Sequence, residues 1–292
     1  MYTIVLASQK GGSGKTTLSG HLAVEADRNG AGPVVLIDTD PQGSLSQWWN
    51  ARGAPTPHFM KAGLPDLGFA LEELKRSGVK IAFIDTPPAI TASISHVVSF
   101  ADLVIVPTRP SPHDLRAVGA TVDIAERHGK PVIFALNGAT ARARITGDSA
   151  IALSQHGTVA PATVHHRVDF AASMVDGRTV GEIAPKSASA REIGQLWSYV
   201  QFRLSKIAHD PQLMPEFLPQ DQAVAPLLVE AGDDALEDIA ETEEVLTVEP
   251  PPFYNGPERR TNPPGTAYFG AERRTSPFGR RQSGTQHDTE RK

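Results

Sequence analysis

The sequence predicts an α/β fold: a doubly wound, mostly parallel sheet with helices on both faces. Two observations carry this reading. Short apolar runs recur at 2–7, 33–38, 80–85, 102–107 and 131–136, each about as long as a buried strand. Between them lie stretches with helical spacing, near 15–29, 43–52, 66–77 and 112–128. Strands that alternate with helices build parallel sheets covered on both sides. With 292 residues and 40% hydrophobic content, the chain can bury a substantial core.

The first run, Tyr2-Thr3-Ile4-Val5-Leu6-Ala7, leads into Lys10-Gly11-Gly12-Ser13-Gly14-Lys15-Thr16-Thr17. Strand, glycine-rich turn and helix follow in the order that a phosphate-binding loop requires. Gly11, Gly12 and Gly14 allow backbone angles that other residues avoid, so the turn can aim several N–H groups at one phosphate. The helix that follows adds its positive end. Lys15 would reach the β- and γ-phosphates of a nucleoside triphosphate, and the Thr16 hydroxyl would ligate Mg²⁺. The general G-x-x-x-x-G-K-[ST] pattern expects glycine at position 9, where this chain has Gln9. It carries a second lysine, Lys10, with no evident work inside its own subunit.

The second run ends in Asp38-Thr39-Asp40-Pro41-Gln42-Gly43-Ser44 and the third in Asp85-Thr86-Pro87-Pro88. These acids stand at the carboxyl ends of strands, where open α/β sheets bind ligands. The fifth run ends at Asn137-Gly138, a pair that also reads as a plain turn. Later helices are expected over 147–156, 168–176 and 187–207. The last presents Ile193, Leu196, Trp197, Val200 and Leu204 at helical spacing, as a packing helix closing the domain would.

With these three motifs, in this order, the chain resembles the ParA/MinD family of deviant Walker-A ATPases over roughly residues 1–207. The resemblance implies a P-loop NTPase fold, with ATP and Mg²⁺ as cofactors. It implies that Gly11, Gly12, Ser13, Gly14, Lys15, Thr16 and Thr17 hold the phosphates. Asp85 would hold the magnesium through a water, and Asp40 would position the attacking water. Asp38 would lie behind the metal or act as a switch, with a turn-forming aspartate as the alternative. Lys10 would cross to the partner's nucleotide, making an ATP-dependent homodimer. Asn137 would read the adenine.

The same resemblance implies non-specific DNA binding by a surface assembled on dimerisation. Arg142, Arg144, Arg167 and Arg203 are the leading candidates, with Arg178, Arg191 and Lys206 behind them. The expected activity is segregation or positioning of a cargo: a plasmid, a chromosome locus or a protein cluster. A ParB-like or other cargo-linked activator would stimulate hydrolysis. A MinD-like membrane switch is the first alternative and an ATP-dependent biosynthetic ligase the second. The membrane switch needs an amphipathic C-terminal helix with a basic face, and the ligase needs a substrate pocket and often an amidotransferase domain. The sequence supplies neither feature.

Composition narrows the classes further. There is no cysteine, so disulfides, thiolate metal sites and the iron–sulfur clusters of some relatives are excluded. No apolar run approaches the ~20 residues of a membrane span, and the first strand begins at residue 2 without a leader, so a cytoplasmic protein, nucleoid-associated when ATP-bound, is expected. The net charge of -5 hides three zones. Residues 208–250 carry twelve acids and no Lys or Arg, residues 251–292 carry a net of +4, and residues 1–207 a net of +3. The region 208–292 is expected to be mostly disordered. It contains Tyr254-Asn255-Gly256-Pro257-Glu258-Arg259-Arg260-Thr261, which returns as Tyr268-Phe269-Gly270-Ala271-Glu272-Arg273-Arg274-Thr275. That repeat has the composition of a docking motif or nucleic-acid tether, or of a duplicated low-complexity segment.

Overall fold

The strands are β1 (Tyr2–Leu6), β2 (Val34–Asp38), β3 (His58–Lys61), β4 (Ile81–Asp85), β5 (Leu103–Thr108), β6 (Val132–Ala139), β7 (Thr158–Val159) and β8 (Val164–His165). They pair in the order β3-β2-β4-β1-β5-β6-β7, with β8 also on β6. Every described pairing is parallel. The structure, a computed structural model, describes residues 1–88 and 91–209. The repeat, and the disorder expected beyond residue 209, lie outside the described residues.

The helices divide between the two faces of the sheet. Helices α1 (Lys15–Arg28), α2 (Ser44–Ala51), α7 (Val168–Ser173), α8 (Val180–Ile183) and α9 (Ala188–His209) cover one. Helices α3 (Leu67–Arg76), α4 (Thr91–Ser99), α5 (Pro112–Arg127) and α6 (Arg144–Ser154) cover the other. The strands feed both layers by alternation. Ile4, Leu36, Phe83 and Ile105 point toward α1 and α9, while Val5, Ile37, Ile84 and Val106 point the other way. This is the two-residue period of a strand buried on both faces. The expected closing helix is α9, whose Trp197 packs against Phe83 at 6.1 Å between ring centroids.

Five expected strands and seven expected helices are present, with ends shifted by a few residues. The differences have local causes. β3 was not expected because it is an edge strand with only Phe59 fully buried. α4 carries the helically spaced Ile94, Val97 and Val98, but it follows Pro87-Pro88, which reads as a loop. β7 and β8 have two residues each, too few for a periodicity. The helix expected over 168–176 ends at Ser173 and tightens into a 3₁₀ turn, Met174–Asp176. Asn137 and Gly138 do not form a turn beyond the strand. β6 continues through them to Ala139 with a bulge, and Gly138 takes a φ of 65° there.

One polar group inside the α1 layer is a histidine. His21 is 1% exposed. Its Nδ1 lies 2.8 Å from the Thr17 carbonyl, and the Val180 N–H donates to Nε2 at 3.3 Å. The neutral ring protonated on Nδ1 satisfies both bonds, and burial pushes its pKa from 6.5 down to about 4. An unfolded chain takes up this proton near pH 6.5 and the folded one only near pH 4, so the unfolded state binds more protons between those values. Stability is therefore expected to fall as pH drops from 6.5 toward 4, by on the order of 3 kcal/mol. Urea denaturation of wild type and of His21→Gln across that range should show the slope in the first and less of it in the second.

Candidate functional site

The parallel register brings the expected site residues to one edge of the sheet. Leu6 of β1 is level with Asp85 of β4, and Asp85 is level with Asp38 of β2. The three chains leaving these strands therefore emerge side by side. Side chains tie them together: Thr86 Oγ1 donates to the Leu6 carbonyl at 2.8 Å, and Thr39 Oγ1 donates to the Asp85 carbonyl at 2.7 Å.

The loop after β1 enters α1 through Gly14, at a φ of 99°. Glycine is required there twice. The angle lies in the left-handed range, and a Cβ would collide with the Asn137 amide. No side chain caps α1, and its first turn holds no acid. The free N–H groups at its start, with the positive end of its dipole, are left for an anion. Lys15 is buried, and its Nζ donates to the carbonyls of Ser8 at 3.2 Å and Lys10 at 3.5 Å. Burial lowers its pKa, and the nearby Asp85 and Asp40 carboxylates oppose that shift. Lys10 is exposed, and its ammonium has no ion pair or hydrogen bond among the described residues.

Thr16 Oγ1 donates to Asp85 Oδ2 at 2.6 Å. Asp85 is 1% exposed, and its Oδ1 is a buried oxygen without a partner. Burial, reinforced by the Asp38 and Asp40 charges, raises the carboxyl to about 7 against the Thr16 bond and Lys15. An orphaned oxygen beside a hydroxyl, in a pocket with excess negative charge, suits a hard divalent cation. No group of three or more His, Cys, Asp or Glu forms a metal cage among the described residues. The set fits Mg²⁺, which takes one or two protein oxygens and completes its shell with water and substrate phosphates.

Asp38 and Asp40 play different parts. Asp38 is fully buried. Its Oδ1 accepts the Asp40 N–H at 3.0 Å, and its Oδ2 accepts both the Ser46 N–H and the Ser46 hydroxyl. Both oxygens are thus spent on capping α2 from outside and on bracing Asp40. Asp40 is partly exposed and lines a cavity of about 660 Å³ together with Lys15, Thr16 and Thr17. That volume is in the range of small-molecule sites.

Asn137 lies against the loop that lines this cavity. Its Nδ2 donates to the Ser13 carbonyl at 2.8 Å, so it braces the loop and leaves its Oδ1 for other work. Gly11 and Gly12 line the cavity, while Ser13 is buried behind it.

The sequence did not reveal Arg109, which lines the cavity beside the loop, nor the wall formed by Gln47, Trp48, Ala51, Met174 and Val175. Arg52 holds it in place. It donates to both Glu182 oxygens at 2.7 and 2.9 Å, to the Gly177 carbonyl at 2.9 Å and to Thr56 O at 2.8 Å, and it stacks over Trp48. No local pattern signals a pairing across 130 residues.

The candidate basic residues sit on separate elements. Arg142 is exposed, with a left-handed φ of 60°. Arg144 is 93% exposed and lies 3.6 Å from Asp148. Arg203 donates to Thr158 Oγ1 at 3.2 Å. Arg167 is engaged by both oxygens of Glu192 at 2.6 and 2.7 Å, and Arg178 pairs with Asp176. Of the four leading candidates, Arg142 has no hydrogen bond or ion pair among the described residues and Arg144 only an exposed contact with Asp148. Arg191 donates to the Lys186 carbonyl, and Lys206 lies over the Phe202 ring.

With this geometry in view, the chain matches the family described as the CobQ/CobB/MinD/ParA nucleotide binding domain over residues 4–225. It is 32% identical over 194 residues to Maintenance of carboxysome distribution protein A of Gloeobacter kilaueensis, covering 65% of this chain and 71% of that one. It is 28% identical over 211 residues to the protein of the same name from Halothiobacillus neapolitanus, covering 68% and 96%. Among solved structures it is similar to the septum site-determining protein MinD with Mg-ADP from Pyrococcus horikoshii OT3. That match has a TM-score of 0.58 at 17% identity, over 70% of this chain and 98% of that chain.

The Gly14–Asn137 contact generates a prediction. Gly14→Ala should cost about 2–3 kcal/mol, from the left-handed angle plus the collision. In an Asn137→Ala background the collision is gone and only the angle, about 1 kcal/mol, remains. Equal costs in the two backgrounds by chemical denaturation would contradict this packing.

Proposed function

The chain belongs to the CobQ/CobB/MinD/ParA nucleotide-binding family, and from that premise we propose that it is an ATP hydrolase whose ATP-bound homodimer positions a cargo. The observation that carries the reading is the Thr16–Asp85 pair with its orphaned Oδ1, between the uncapped start of α1 and the braced Asp40. In this reading the uncapped helix start would take the phosphates, Thr16 and Asp85 a magnesium ion, and Asp40 a water.

Lys15 would leave the Ser8 and Lys10 carbonyls and donate to the β- and γ-phosphates, while the N–H groups of the deviant Walker-A loop take the remaining oxygens. Bound magnesium would neutralise phosphate charge. Asp40, held through its own N–H by Asp38, would orient a water in line with the γ-phosphate. Asn137 would read the adenine from the rim of the loop. Lys10, whose exposed ammonium has no partner among the described residues, would extend to the nucleotide of a second subunit. Association would then depend on the γ-phosphate, because the crossing charge needs phosphate to meet.

The dimer would bind DNA non-specifically, with Arg142 and Arg144 supplying the most available charge, Arg203 less, and Arg167 least because Glu192 already holds it. Relatives named for carboxysome distribution support a protein body as the cargo, in preference to a plasmid or chromosome locus. A cargo-linked activator would trigger hydrolysis and release.

Three substitutions test the reading. Lys15→Ala should weaken ATP binding by roughly tenfold to a hundredfold in calorimetry. Asp40→Ala should bind ATP normally and hydrolyse it about a hundredfold more slowly. Lys10→Ala should bind ATP but remain a monomer in analytical ultracentrifugation with a non-hydrolysable analogue, where wild type dimerises. A wild-type chain that stays monomeric when loaded would remove the dimer from the proposal.

A further inference from the structure

The charge balance at the cavity is incomplete without one more residue. Asp38, Asp40 and Asp85 cluster at the strand ends, and Lys15 is the buried cation among them. A triphosphate adds roughly four negative charges, spread over its oxygens. One lysine and a divalent ion, even joined by a Lys10 from a second subunit, leave the acids and the triphosphate together short of neutral.

Arg109 lies where the missing charge is needed. It follows Thr108, the last residue of β5, and β5 pairs with β1 through Ile4–Leu103 and Leu6–Ile105. The chain leaving β5 therefore emerges beside the loop leaving β1. Its backbone is held from the far side: Pro110 restricts Arg109 to extended angles, and the Arg109 carbonyl accepts the Ser111 N–H at 2.7 Å. Ser111 in turn caps α5, its Oγ accepting the Asp114 N–H at 3.1 Å. The side chain runs from β6 toward the loop. Its Cγ and Nε pass 3.7 and 3.8 Å from the Cβ position of Gly138, and its guanidinium nitrogens lie 3.7 and 3.9 Å from that of Gly12.

The guanidinium is exposed and has no hydrogen bond or ion pair among the described residues, yet it lines the cavity with Lys15 and Thr16. Arg52, Arg167 and Arg178 are each paired with a carboxylate. Arg109 instead sits over a loop of N–H donors, close to Lys15 and the positive end of α1. Without an anion that neighbourhood is repulsive to a cation. With one, five N–H groups in a rigid fork face phosphate oxygens. Cγ, Cδ and Nε pass the Gly138 end while the two terminal nitrogens reach Gly12, so the terminal N–H groups are placed for the phosphates.

We propose that Arg109 is a phosphate-contacting residue, donating from the same subunit to the polyphosphate chain held in the loop of residues 10–17. This rests on the reading of the cavity as a triphosphate site. The full chain, with Arg109→Ala, Arg109→Lys and Lys15→Ala, is titrated by calorimetry with ATP and with inorganic tripolyphosphate, each with Mg²⁺. Arg109→Ala should weaken both ligands by roughly tenfold or more, and Arg109→Lys should recover part of the loss. The unliganded thermal midpoint should not fall in either variant, since the side chain has no partner to lose. Wild-type affinity of Arg109→Ala for tripolyphosphate would overturn the proposal, whether or not ATP binding suffered, because a loss confined to ATP marks a base contact. If Lys15→Ala also binds both ligands as wild type does, the triphosphate reading itself fails. A loss in Lys15→Ala alone removes only Arg109.

Discussion

Parallel register concentrates buried negative charge at one edge of this sheet, and the site's architecture depends on it. Asp38 and Asp85 are level on neighbouring strands, and β1 delivers the glycine loop at the same height. Two carboxylates at adjacent strand ends repel each other in a low-dielectric interior. The fold tolerates them because each is answered differently. Asp38 is satisfied by three donors from the following loop and α2. Asp85 receives one donor from Thr16 and keeps an unmatched oxygen. The first acid is thus settled by the chain itself, and the second is left dependent on what binds.

That difference links the two loops mechanically. Asp38 holds the N–H of Asp40 and the start of α2, and α2 carries Trp48 into the wall of the cavity. Trp48 lies under the Arg52 guanidinium, which is clamped to Glu182 of α8. A movement of residues 39–43 would therefore reach both the cavity wall and the helices beyond it. Buried, fully satisfied ionic networks of this kind carry displacement well, because breaking one partner leaves an uncompensated charge.

The outer surface follows a different logic. Positive charge there is dispersed, and several arginines are committed within the chain, Arg167 to Glu192 and Arg178 to Asp176. Residues 1–207 carry only a modest net excess of positive charge. A surface able to hold a polyanion would have to be assembled from more than one copy, which makes nucleotide-dependent pairing and polyanion binding a single physical requirement in the proposed function.

The local features of this protein were legible in its sequence. A glycine-rich turn between a strand and a helix, acids at strand ends and a hydrophobic period of two or 3.6 are consequences of short-range sterics and burial, so the place of the glycine loop, of Asp38, Asp40 and Asp85 after their strands, and most of the strand–helix order could be read directly. Elements that are polar or very short, such as β3, β7 and β8, carry too little pattern to be seen. The roles that depend on distance in space were decided only by the tertiary structure. Asp38 became a brace because Ser46 comes back to it. Asn137 became a support for the loop because β6 continues past its expected end to pass Gly14. Arg109 reached the loop because β5 is the neighbour of β1 in the sheet although about a hundred residues separate them along the chain. Strand order is set by which apolar faces can be buried together, a global condition that no window of sequence contains.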